Sequence, residues 1–166
     1  VVLAGDCPLL SQKTLEEAFV LHEREHNAVT VISARLSDPY GYGRVIRDGQ
    51  GGLLRIVEEK DANEEQRRVQ EINSSAYWFE VNALLEALPL LDNRNAKGEY
   101  YLTDAIEILL RGGRRAGVFE ALDSDEILGA NTQKQLLTLQ KVAQAKVLER
   151  HLDNGVMITS DDGLVI

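Results

Sequence analysis

The chain opens on a short apolar run, Val1-Val2-Leu3-Ala4, closed at once by Gly5-Asp6 and then Cys7-Pro8. A brief apolar stretch bounded by a turn signal reads as a strand buried on both faces. Such a strand constrains everything after it, because its backbone groups and its side chains all need neighbours. The rest of the chain must supply strands for its edges and helices for its faces. That requirement points to an open α/β sheet, and to a chain that is a piece of something longer. The same feature delivers one carboxylate, Asp6, to the carboxyl edge of a sheet, where open α/β sheets bind ligands.

The downstream pattern meets that requirement. Residues 11–25 read as a helix, with Thr14-Leu-Glu-Glu17 as a capping box and Leu15, Ala18, Phe19 and His22 on one face. Residues 28–36 alternate in the manner of a strand, and Ser37-Asp-Pro-Tyr-Gly-Tyr-Gly43 is a turn-rich loop. Two short strands, 44–47 and 53–59, flank Asp48-Gly-Gln-Gly-Gly52 as a hairpin. A polar stretch with one helical turn (60–68) leads to a strand at 71–79, helices at 81–91 and 101–110, and a strand at 116–121. Residues 132–152 read as one long helix with Leu136, Leu139, Ala143 and Val147 at helical spacing, ended by Asn154-Gly155. Interleaved strands and helices make the fold class α/β with a mixed sheet. Residues 156–166 revert to alternation and are too short to form a domain.

Composition excludes several classes. The 166 residues carry a formal net charge of -9, the wrong sign for sequence-independent nucleic-acid binding. No apolar stretch reaches the roughly 20 residues of a membrane helix, so no membrane partner is expected. The single cysteine, Cys7, cannot form an internal disulfide and fits a reducing compartment. A phosphate ligand on so acidic a body calls for a metal ion rather than a basic cradle.

Several residues could carry chemistry. Asp6 is a candidate hard-oxygen ligand for Mg²⁺, or an acid that caps a turn after its strand. Gly41-Tyr-Gly43 lets backbone approach a ligand closely, or is a plain loop. Glu58-Glu59-Lys60-Asp61 offers a carboxylate to sugar hydroxyls, or is a solvated charge cluster, the reading its sequence favours. Asn73 stands in an otherwise apolar strand; its amide would donate and accept at once if it faces a cleft. Asn131 stands where a helix N-cap is expected. Arg111-Gly-Gly-Arg-Arg115 reads as a solvated turn, and His22, His26 and His151 lack metal-ligand spacing. No Ser-His-Asp or Cys-His arrangement is visible.

In order, the segments GDCPLL, DPYGYGRVIRD, IVEEKDANEEQ, EINSSAYWFE, NAKGEYYLTDAIEIL and EILGANTQKQL resemble one family. It is the bacterial bifunctional N-acetylglucosamine-1-phosphate uridyltransferase/glucosamine-1-phosphate acetyltransferase. The resemblance implies a Rossmann-like nucleotide-diphospho-sugar transferase fold over residues 1–131, a linker helix at 132–154, and the first coil of a left-handed β-helix at 155–166. It implies that Asp6 and Asn131 hold Mg²⁺. It also implies that Ala4, Gly5, Asp6, Gly43, Glu58, Asn73 and Asn131 contact the nucleotide sugar, with Tyr101 and Thr103 near the same pocket. The implied substrates are UTP and N-acetylglucosamine 1-phosphate, giving UDP-N-acetylglucosamine, in the cytoplasm, from a parent that trimerises through its β-helix. The family's glycine-rich nucleotide loop matches nothing in this chain, so these residues alone are expected to be inactive. One local departure concerns the sugar pocket. Ser74-Ser75 stands where the family has Thr-Gly, and a serine adopts positive φ less cheaply than glycine.

Overall fold

A computed structural model describes residues 1–158. The strands are β1 (Val2–Leu3), β2 (Val29–Arg35), β3 (Arg44–Arg47), β4 (Leu53–Val57), β5 (Glu71–Phe79) and β6 (Ala116–Glu120). The α-helices are α1 (Gln12–Arg24), α2 (Glu64–Arg67), α3 (Val81–Ala87), α4 (Asp104–Arg111) and α5 (Gln133–Asp153), with 3-10 turns at Leu88–Leu90 and Ser124–Ile127. All six strands join one sheet in the order β4-β3-β5-β2-β6, with β1 attached to β5 beside β3. The β2–β6 pair is parallel and every other pair is antiparallel, so the sheet is mixed.

β2 is the centre of the core. Rather than alternating in and out, Val29 to Ala34 are all buried, because the strand lies between β5 and β6 and is covered on both faces. Val29 and Val31 pack with Ala83 and Ala87 of α3 and Ile106 and Leu109 of α4. Ile32 and Ala34 join Ala18 of α1 and Ile127 on the opposite side. Period-two alternation therefore sorts β2 between two apolar layers, not between core and water.

The opening strand is less enclosed than its sequence suggests. β1 is two residues long, and Leu3 is 48% exposed. Among the described residues it has a single neighbour, β5, through Val2↔Tyr77 and Leu3↔Ala76. β5 thus carries β1 near its carboxyl end and β3 near its start, at Arg44↔Ile72. Between those two attachments β5 is irregular. From Val31↔Tyr77 to Ser33↔Asn73, β2 advances two residues and β5 four, a bulge that leaves Ser75 at φ 59°.

Helix starts differ from expectation in two places. Ser11, not Thr14, caps α1 by accepting from the Thr14 N–H, while the Thr14 hydroxyl donates to Glu126 at 2.6 Å. At α5 the cap is Thr132, one residue past Asn131. On α5 the expected apolar stripe buries only Leu139, and Leu136 is about half exposed. The helix ends at its C-cap Asn154 with Gly155 at φ 79°, as anticipated. Of the expected β-helix coil at 155–166, residues 159–166 lie outside the described residues.

Candidate active site

The site is assembled where β1 and β3 approach each other along β5. Ala4 N–H donates to the Ser75 carbonyl at 3.1 Å, and the Asp6 carbonyl accepts from Ala130 N–H at 3.0 Å. The second bond docks residues 129–131 onto the turn after β1. Gly129 N–H is in turn held by the Tyr42 hydroxyl at 3.3 Å. Asp6 and Asn131, far apart in sequence, so come to line one cleft of about 210 Å³, together with Gly43, Glu58, Asn73 and Ser75.

Asn131 is free for this cleft because it does not cap α5. The Thr132 hydroxyl accepts from Gln135 N–H, and the Gln135 side chain accepts from Asn131 N–H. That exchange uses the Asn131 backbone, and no side chain or backbone group among the described residues bonds its side-chain amide. The Asp6 carboxylate and the Asn131 carbonyl are both hard oxygen donors on exposed residues. One carboxylate and one neutral amide suit Mg²⁺, which keeps much of its octahedral shell for water and phosphate.

Glu58 is not the solvated charge that its local sequence favours. It is half-buried and accepts from the Thr103 hydroxyl at 3.3 Å. Burial pushes its carboxyl above the usual glutamate range; the Thr103 hydrogen bond and nearby Lys97 pull the other way. Thr103 precedes α4 but makes no side-chain cap bond, because its hydroxyl is turned toward Glu58. Gly43 sits at a close approach: a Cβ there would lie 3.0 Å from Ile56 Cγ2 and 3.3 Å from Glu58 Oε1, so those side chains would have to give way.

A second cleft of about 280 Å³ adjoins the first and shares Glu58 and Ser75 with it; Ala4, Tyr77, Tyr101 and Thr103 are among its other lining residues. Among the described residues the buried Tyr101 hydroxyl has no hydrogen-bond partner within normal geometry. Gly5 lines neither cleft. Cys7 lies beside Asp6, and its thiol is pushed up to about 11 by burial, the Asp6 charge and a hydrogen bond to Asp6. It stays protonated at neutral pH and is no nucleophile.

Residues 1–147 match the nucleotidyl transferase family. The chain belongs to that family. Its similarity to individual relatives runs the length of the chain: 46% identity over 166 residues with the bifunctional protein GlmU of Acetivibrio thermocellus. The corresponding proteins of Caldanaerobacter subterraneus and Enterococcus faecalis are 45% and 42% identical, again over 100% of the chain. The chain spans only about a third of these relatives, 36% of the first. Among solved structures, one from Bacillus anthracis, assigned as a glucose-1-phosphate thymidylyltransferase and crystallised with sucrose, aligns with a TM-score of 0.57 at 16% identity. That match covers 78% of this chain and 48% of the other, and shows a shared fold.

Within this nucleotidyl transferase chain, the residues missed by sequence reading are those that hold the walls. Arg44 is fully buried, donates to the Tyr42 carbonyl, and pairs with Glu59 at 2.6 Å. Glu59 also accepts from Gly41 N–H at 3.2 Å, which ties down the glycine loop. An arginine between a glycine and an apolar strand gave no sign of burial. Tyr77, in the apolar half of β5, reads as core; its hydroxyl accepts from Asn73 Nδ2 at 2.7 Å.

Proposed function

We propose that this chain forms the sugar-facing part of a site transferring a uridylyl group from UTP to N-acetylglucosamine 1-phosphate, with release of pyrophosphate. The observation that carries this reading is the meeting of Asp6 and Asn131 in one cleft with Glu58 and Asn73. In this reading Asp6 and Asn131 hold Mg²⁺, which supplies charge neutralisation at the reacting phosphates. The attacking oxygen belongs to a sugar phosphate that is already anionic, so no side chain needs to act as a general base. The protein's work is binding and alignment. Glu58, steadied by Thr103, accepts hydrogen bonds from the sugar. Asn73 donates and accepts with the valences its internal bonds leave free. Gly43 lets the wall close without a side chain, and Ala4, in the adjoining cleft, offers backbone beside the nucleotide sugar.

The wider organisation is part of the same proposal. Residues 1–131 are the transferase portion and 132–154 a linker helix, in a cytoplasmic parent that trimerises through an acetyltransferase β-helix. A second reading is a sugar-phosphate binder without turnover, favoured by the absence of Lys and Arg among the described residues that line the main cleft. Nothing basic there would cradle a triphosphate.

The Asp6→Ala variant of the full-length gene product tests the metal assignment. Mg²⁺-dependent pyrophosphate release should fall by about 100-fold or more, several kcal/mol of transition-state stabilisation. Near-parental turnover would remove Asp6 from the metal site. Assays pairing UTP or dTTP with glucose 1-phosphate decide whether another sugar phosphate is the substrate. Reproducible turnover by the 166 residues alone would overturn the expectation that they are inactive in isolation.

A further inference from the structure

Asn73 is held on both ends of its amide by its own strand. The Ser75 N–H donates to Asn73 Oδ1 at 3.1 Å, and Asn73 Nδ2 donates to the Tyr77 hydroxyl at 2.7 Å. In a regular strand residues 73, 75 and 77 would project in parallel and could not turn back on one another. The bulge makes the closure possible: Ser75 at φ 59° turns its N–H toward Asn73, and two added residues bring Tyr77 round. The Tyr77 ring is anchored independently of the cleft. It is 3% exposed, packs with Val31 and Ala83 in the core, and lies 5.7 Å from the Phe79 ring.

The amide cannot be reversed in this setting. A flip would place Nδ2 against the Ser75 N–H, donor against donor, and Oδ1 against a phenol that would then have to donate. With one N–H and one lone pair committed, Asn73 presents one donor and one acceptor to the cleft in fixed directions. We propose that Tyr77 is a positioning residue for sugar recognition, a core-anchored clamp that sets the orientation of the Asn73 amide. This rests on the uridylyltransferase reading. The strained backbone at Ser75 is the local cost of that clamp, as strain near functional sites commonly is.

Steady-state kinetics of the full-length gene product test the clamp, with parent, Tyr77→Phe, Asn73→Ala and the double variant compared. Tyr77→Phe keeps the ring in the core and removes only the hydroxyl. The KM for N-acetylglucosamine 1-phosphate should rise ~3- to 10-fold, the effect of one neutral hydrogen bond, with kcat and the KM for UTP unchanged. In the Asn73→Ala background the same substitution should change nothing, since there is no amide left to orient. An inactive parent overturns the functional reading and this inference with it. With an active parent, an unchanged sugar KM in Tyr77→Phe overturns the inference alone. So does a Tyr77→Phe effect that persists in the Asn73→Ala background, or a loss confined to thermal stability.

Discussion

Ser75 is a β-substituted residue held at φ 59°, a conformation costing about 1–2 kcal/mol in residues other than glycine. Ser75→Gly should therefore raise unfolding stability by about 1 kcal/mol, after allowing for the greater chain entropy of glycine. Chemical denaturation of the two proteins measures it; a less stable variant would mean that side-chain contacts outweigh the strain. The sequence anticipated this position, because Ser74-Ser75 stood out where the resembled family has Thr-Gly. It did not show which way Asn73 faces. Alternation assigns sides along a strand only while the register holds, and the bulge resets the count between Asn73 and Tyr77. The local sequence around Glu58 favours the wrong surroundings for a different reason. Its neighbours Glu59, Lys60 and Asp61 look like a solvated cluster, and only the approach of Gly43 and Thr103 withdraws it from water.

At the level of elements, periodicity located almost every helix and strand, and fine capping chemistry was harder to read. Ser11 and Thr132 both lie within a few residues of the expected caps, and several nearby side chains could serve equally well. The displacement at α5 matters most, since a cap at Thr132 releases the Asn131 amide toward the cleft. The loop before β3 depends on a pair that no local pattern announces. The Arg44 side chain is 2% exposed and the Glu59 side chain 19%, and Glu59 also meets Arg67 at 3.5 Å. Removing one partner of such a pair strands a buried charge, which costs about 3–5 kcal/mol. Glu59→Ala should lose about 3 kcal/mol of stability in urea denaturation and loosen the Gly41–Gly43 wall. A loss below about 1 kcal/mol, the range of an exposed pair, would show that Arg44 finds water or another partner.

For the molecule as a whole, two buried groups contribute to the response to acid. Burial holds the His22 imidazole below its ordinary value of 6.5, and its ring meets Thr30 at 3.0 Å. Burial resists ionisation of Glu71, yet hydrogen bonds from Arg47 and Ser33 outweigh it and hold the carboxyl below its ordinary 4.5. Both groups bind protons less readily folded than unfolded. Their contributions are complete above 6.5 and above 4.5 respectively, and are lost as pH falls through the lower folded values. Melting temperature should therefore decline in two stages on acidification; Glu71→Gln should flatten the stage below 4.5 and His22→Gln the one below 6.5. A profile unchanged by either substitution would assign acid sensitivity elsewhere. Helical spacing already put His22 on the apolar face of its helix, whereas the Glu71 network was invisible to pattern reading, because Arg47 and Glu71 are joined only by the sheet. The sheet also determines how wide the site is. One edge of β5 carries two short strands set end to end, so the spacing between the Asp6 wall and the Gly43 wall is metered along that edge by the residues separating Ile72 from Ala76. The strand acts as a ruler, and the bulge is extra length taken up within it. Shortening that length by a single residue would bring the walls together and reverse the faces of one attachment, so the width of the cleft is written in the backbone of β5 before any side chain on either wall is chosen.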